Sequence, residues 1–266
     1  MARFRLITLG DLIVTAPDIA LPSGVQRRRS LALLAILAAS GDAGITLERV
    51  MTLLWPEFDL ERAQNNLKQT KHGIRAAMGT DALVRQRARL KLNKDVVAVD
   101  LWDYQGLVAA GKLEQAVAVY TGPFLDGFNL PRVVGFQRWV ESERERIEQF
   151  HVRTIETLAR KADQPEVAVE WWTQLAAIDP LSDKYAEGLI RALHRAGDTA
   201  TALRAARRHE ERLRTELEVE PSASLRGLVD EIRQPQRAPV TAPSPFRPRQ
   251  PTRYLHRVRM LPEKPR

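Results

Sequence analysis

"NNLKQTKHGIRAAMG", residues 65–79, decides how the first third of this chain folds. The stretch holds three amides, two lysines, one arginine and one histidine, and it holds no acid. Extended back to residue 60 and wound at about 100° per residue, it gathers Ala63, Leu67, Thr70, Ile74, Ala77 and Met78 on one side, the core stripe of a helix. The opposite arc carries Asn65, Lys68, Gln69, His72, Arg75 and Ala76. Amides and bases are the residue types that pair with base edges in a major groove. Arg and Lys match guanine acceptors, Asn and Gln match adenine, and a small residue such as Ala76 allows close approach. Asp59 and Glu61 fall in the first turn, where acids favour a helix N-terminus. A plain solvated face would explain the same arc, so the flanking sequence has to separate the two readings.

Working outward, "GITLERVMTLLWPEFD" places a second helix just before, with Thr46 as its N-cap and Pro56 as its stop. "RRRSLALLAILAAS" predicts a buried helix that closes near Gly41. "RFRLITLGDLIVTAPDIAL" (3–21) alternates as short strands about a turn at Gly10-Asp11. Behind the third helix, "LVRQRARLKLNKDVVAVD" (83–100) alternates again and predicts a hairpin, with Arg85, Arg87, Arg89, Lys91 and Lys94 pointing outward. Strands, three helices and a basic hairpin within about a hundred residues make a coherent DNA-binding unit. Arg27, Arg28 and Arg29 stand at the start of the first helix, where free backbone N–H groups and cations can meet phosphate together. The candidate DNA-binding residues are therefore Arg27, Arg28, Arg29, Asn65, Lys68, Gln69, His72, Arg75, Arg85, Arg87, Arg89 and Lys91.

Charge divides the chain the same way. Residues 1–97 carry 15 Lys+Arg against 9 Asp+Glu, residues 98–234 carry 18 against 23, and residues 235–266 carry 8 against 1. A basic front points to a polyanion, with double-stranded DNA the first candidate. From Leu101 to about Arg233 the periodicity is helical, with breaks at Gly111, Thr121-Gly-Pro123, Leu130-Pro131, Asp163-Gln-Pro165, Asp179-Pro180, Gly197-Asp198 and Glu220-Pro221. "PEVAVEWW" and "TATALRAA" set Ala168 and Ala202 34 residues apart, the period of tetratricopeptide helix pairs, and "EQAVAVY" (114–120) is a looser copy. Of Trp171 and Trp172, one is expected in the core and one at the surface. The acidic helical part, residues 100–234, is expected to fold alone and to leave DNA unbound. Eight of the sixteen prolines fall in residues 235–266 beside seven arginines, a composition expected to stay disordered.

At this point the chain resembles the SARP-type regulators, which join an OmpR-like winged helix to a bacterial transcriptional activator domain (BTAD). "LLALLA"-like 33–38 after the arginine run, "LLWPE" (53–57), "AQNNLKQTKHGIRAAMG" (63–79), "LKLN" with "VAVD" (90–100), "YTGPFLDGF" (120–128), "FQRWVESERERI" (136–147) and "EVEPSASL" (218–225) carry the resemblance, over residues 3 to about 233. Two features depart from the pattern. Gly73 interrupts a helix that should be continuous, at a cost of up to about 1 kcal/mol. The proline-arginine tail has no counterpart in the shared core.

The fold expected is mainly α: a winged helix-turn-helix with small β-sheets over residues 1–98, a TPR-like helical domain over 99–234, and the tail over 235–266. The resemblance implies DNA binding through the third helix and wing, transcriptional control, and helical-domain contacts with RNA polymerase or a second protomer as a homodimer. It places the protein in the cytoplasm, at the nucleoid.

The remaining sequence argues against catalysis. His72, His151, His194, His209 and His256 are scattered without metal-ligand spacing, there is no cysteine, and no phosphate-binding Gly-rich loop occurs. No cofactor, metal or membrane span is expected. "ESERERIE" (141–148) places Glu and Arg at the spacing of helix-surface ion pairs. The alternative to a DNA reader is an adaptor, a repeat scaffold whose winged helix binds protein.

Overall fold

The computed structural model describes residues 3–16 and 24–234. β1 (Phe4–Ile7) and β2 (Ile13–Thr15) pair antiparallel. Three helices follow, α1 (Arg28–Ser40), α2 (Leu47–Leu54) and α3 (Leu60–Met78), with the short β3 (Ile45–Thr46) ahead of α2. Then come β4 (Leu83–Gln86), β5 (Arg89–Leu92) and β6 (Val97–Val99). This is a winged helix-turn-helix, and the helical domain behind it is TPR-like. The proline-arginine tail from residue 235 lies outside the described residues.

The ends of these helices follow local chemistry. Ala32 to Leu37 of α1 are fully buried, so this helix is the spine of the front core. The Thr46 hydroxyl accepts from the Arg49 N–H at 3.3 Å, the expected N-cap of α2. Asp59 caps α3 in the same way, accepting from Arg62 N–H at 2.8 Å. α3 runs unbroken through Gly73. A Cβ built on Gly73 would sit 3.7 Å from the Gly24 carbonyl oxygen, an ordinary contact. Gly73→Ala is therefore expected to stabilise the fold by up to about 1 kcal/mol, read from the urea midpoint. A lowered midpoint would mean that the Gly24 segment needs the empty space.

The hairpin of residues 83–100 is shorter than expected. β4 and β5 join β3 in one sheet, ordered β3-β5-β4, while β6 leaves and pairs parallel with β1 in a second sheet, ordered β2-β1-β6. Val97 and Val99 are almost wholly buried, and only the second sheet offers them a core. A turn in which the Val96 and Val97 N–H groups donate to the Asn93 carbonyl redirects the chain.

The remaining helices are α4 (Asp100–Ala109), α5 (Leu113–Val119), α6 (Val134–Lys161), α7 (Pro165–Ile178), α8 (Asp183–Arg195), α9 (Thr199–Leu217) and α10 (Ala223–Arg233). Ala168 of α7 and Ala202 of α9 are both buried, as their 34-residue spacing predicts. Trp171 and Trp172 do not split between core and surface, because both are half-buried. Trp172 lies over Gly188 of α8, where a side chain would run into the indole, and Trp171 packs against the cluster of Ile155, Ala159 and Leu175.

The core does not divide where the charge does. Leu101, Tyr104, Ala116, Phe124, Leu125, Phe136, Val140 and Ile147 share one cluster with Leu9, α1 and α2. The segment after α5 is more than a helix break. Residues 121–130 form a strap that runs back along the end of β1. Gly10 N–H donates to the Pro123 carbonyl, Leu125 N–H to Thr8, and Asp126 N–H to Gly10. Arg144 of α6 ties the strap from behind, donating to the Phe124 carbonyl at 2.7 Å and to Leu125 at 2.5 Å. It therefore serves as a backbone clamp, while the helix-surface pairing expected in this run is made by Arg146 with Glu143. The first half of residues 100–234, through Ile147, shares its apolar core with the winged helix, which argues against the expectation that this part folds alone. The second half has its own cluster around Ile190, Ala202, Leu225 and Leu228.

Candidate nucleic-acid interface

α3 shows the arc that its sequence predicts. Ala63, Leu67, Ile74 and Met78 are buried against the front core, and Asn65, Lys68, Gln69, His72 and Ala76 are exposed. Arg75 departs from this arc. It is half-buried, its Nη2 reaches the Leu83 carbonyl of β4 at 3.4 Å, and its Nε is buried with no hydrogen-bond partner. The reason is reach, since a guanidinium near the end of α3 can turn onto the neighbouring strand while the shorter side chains before it cannot.

The wing divides in the same manner. Arg87 sits at the tip, in the two-residue turn between Gln86 and Arg89, with φ +55°. A left-handed arginine in such a turn is strained relative to glycine, yet the charge is held at the outermost point of the hairpin. Arg85 is exposed beside it and donates to the Arg87 carbonyl. Arg89 instead ties the wing to the segment before β3, donating to the Gly44 carbonyl at 2.9 Å. Lys91 is half-buried, and Lys94 pairs with Asp42 at 2.7 Å.

Arg27 is exposed at the start of α1. Arg28 donates from Nη1 to both oxygens of Asn129 in the strap, the backbone carbonyl at 3.1 Å and the side-chain Oδ1 at 2.9 Å. Arg29 pairs with Glu57 at 3.0 Å and lies 5.7 Å from the Trp55 ring centroid. The three arginines line one cleft of about 280 Å³ with Asn66, Gln69, Thr70 and Gly73 of α3. The amino end of α1 and one flank of the third helix thus form a single concave surface.

Lys71 was not singled out in the sequence and belongs here. It lies one turn after Lys68 and one before Arg75. Burial, followed by the Arg75 and Arg85 charges, holds its ammonium below the usual lysine range. Three cations from two elements crowd together with no carboxylate to balance them. Among the described residues, none of Arg27, Lys68, Lys71, Arg75, Arg85, Arg87 and Lys91 makes an ion pair, whereas Arg3, Arg5, Arg29 and Lys94 each find a carboxylate. Apart from Arg49 of α2, the unpaired cations of the described front domain gather on α3, the wing and the amino end of α1. Nothing comparable is seen elsewhere on the front domain among the described residues.

Residues 104–233 match the family model of the bacterial transcriptional activator domain. The chain is 28% identical over 240 residues to the regulatory protein AfsR of Streptomyces griseus, a match that covers 86% of this chain and 24% of that protein. Together these matches support the resemblance of this chain to the SARP-type transcriptional regulators. It spans about a quarter of the length of the curated relative it matches. Its fold is also similar to that of EmbR from Mycobacterium tuberculosis, solved in complex with a low-affinity phosphopeptide, with a TM-score of 0.62 at 21% identity over 87% of this chain and 65% of that one. In this chain the match to the activator domain begins inside α4, and its first helices and strap belong to the same core as α1 and α2. No described helix is long and apolar enough to cross a membrane.

Proposed function

We propose that this SARP-type regulator reads double-stranded DNA in the cytoplasm, as an activator, with α3 in the major groove and the wing on the phosphate backbone. The single observation that carries the reading is the continuous acid-free face of Asn65, Lys68, Gln69 and His72 flanked by the unpaired cations Lys71, Arg85 and Arg87. Amides in the middle suit base edges, and cations at the margins suit phosphates. Arg27 and the cleft at the amino end of α1 form a second phosphate locus. Arg89 is assigned to bracing the wing, and Arg75 to steering β4 against α3. The helical repeats, acidic on balance, are proposed to meet RNA polymerase or a second protomer.

The test is capture of genomic DNA by the purified full chain, followed by affinity measurements on the recovered motif. Asn65→Ala or Gln69→Ala should cost about 1–3 kcal/mol on that site and little on random DNA. Arg87→Gly should relieve the strained turn, so stability rises while affinity falls for every sequence and the log–log salt slope flattens by about one unit. If the full chain fails to retard any DNA at low salt, the adaptor reading replaces this one.

A further inference from the structure

Asn129 lies far along the chain, in the strap contributed by the activator domain, yet it is bonded to an arginine of the candidate interface. The pattern of those bonds is specific. Both of its oxygens take the same Arg28 nitrogen, Nη1, while Arg28 Nε and Nη2 make no hydrogen bond among the described residues. A guanidinium held by one terminal nitrogen has a fixed plane and still presents its Nε–Nη2 edge, the geometry that grips a phosphate with two parallel bonds. Arg28 also lines the cleft shared by Arg27, Arg29 and Gln69. The strap that carries Asn129 is itself anchored, through Leu125 and Asp126 to the end of β1 and through Arg144 to α6.

We infer that Asn129 is a positioning residue for DNA binding: it holds Arg28 ready for a backbone phosphate, so the activator domain contributes to DNA affinity without touching DNA. This rests on the DNA-reading function proposed above. An unanchored arginine would have to give up rotamer freedom on binding, and the strap removes that cost in advance. The coupling is reciprocal, so phosphate on Arg28 also steadies the strap.

Both side chains are exposed, so substitutions should leave the fold intact. The experiment is a double-mutant cycle on the full chain with a random duplex as probe. Arg28→Ala should weaken binding about five- to tenfold and flatten the salt slope by about one unit. Asn129→Ala should weaken binding about three- to fivefold and move the slope in the same direction, a change that a purely structural role would not cause. The double variant should match Arg28→Ala alone. Added DNA should also slow hydrogen exchange over residues 124–130 in the wild type and leave it unchanged in Arg28→Ala. Additive losses, or an Asn129→Ala protein with wild-type affinity and slope, would overturn the positioning role while leaving DNA binding in place. A wild-type chain that retards no DNA would overturn both.

Discussion

Replacing Asp100 by alanine is expected to destabilise the fold by about 3–5 kcal/mol. The carboxylate is 4% exposed and sits where the end of β6 passes into α4. It accepts from the Thr8 N–H with both oxygens, from the Thr8 hydroxyl at 2.7 Å, from Leu9 N–H at 2.8 Å and from Leu101 N–H at 2.8 Å. Alanine would leave buried N–H groups of three residues without an acceptor, and each such orphan costs about 1–3 kcal/mol before relaxation. Asparagine should fare little better, because its amide would turn a donor toward other donors. The damage should spread, since Thr8 and Leu9 also hold the strap through the Leu125 N–H and the Thr121 hydroxyl. Urea unfolding of the full chain reads the loss, and a change below about 1 kcal/mol would show that water can reach and satisfy these groups.

The second large effect is a pH dependence centred on His151. Its ring is buried, stacks on Tyr120 at 3.8 Å between centroids, and lies 3.4 Å from the Tyr104 hydroxyl, which donates onward to Thr154. Burial pushes its pKa down from an ordinary 6.5 to about 4. The same environment holds the Tyr120 phenol up at about 12, through burial first and the Glu148 charge next. Between pH 6.5 and 4 the unfolded chain binds a proton at this residue and the native chain does not. Stability from this site is therefore complete above pH 6.5, falls as pH drops below it, and levels off below about 4. The loss relative to neutral pH should be about 2 kcal/mol at pH 5 and approach about 3 kcal/mol at pH 4. His151→Phe keeps an aromatic ring against Tyr120 and has no proton to bind. The difference between the two proteins in urea midpoint, followed from pH 7.5 to pH 4.5, should carry this slope. Parallel curves would mean that His151 titrates alike in both states.

Much of the front domain could be read from local signals because its decisive features are local. Thr46, Pro56 and Asp59 punctuate helices within a turn of themselves, and the arc of α3 is set by the helical period alone. The failures have a common cause in contacts that join distant parts of the chain. No periodicity tells Val97 and Val99 to leave the hairpin for β1, because the reason is a core formed some ninety residues earlier. The strap of residues 121–130 reads as a run of turn formers, and its partner at the end of β1 is invisible without the fold. Arg28, Arg29, Arg75 and Arg89 look like free cations in sequence, and each finds an oxygen from another element. Lys71 shows the converse. Helical periodicity alone does not single it out, and its setting becomes visible only where Arg85 comes alongside from the wing.

The strap also bears on how such regulators can be recombined. The change in charge near residue 98 suggests a crossover at the end of the wing, where β6 passes into α4. A crossover there would separate Thr8, Leu9 and Gly10 from the backbone that pairs with them, and would strip Phe124, Phe136 and Val140 from the shared apolar interior. The better seam is the short turn between α6 and α7, at residues 162–164. Grafts made at that point should inherit an intact winged helix together with its supporting strap, and should exchange only the stacked helices that follow. Hybrids cut at residue 98 should instead yield insoluble protein, with an unpaired strand end and a greasy flank left open to other copies.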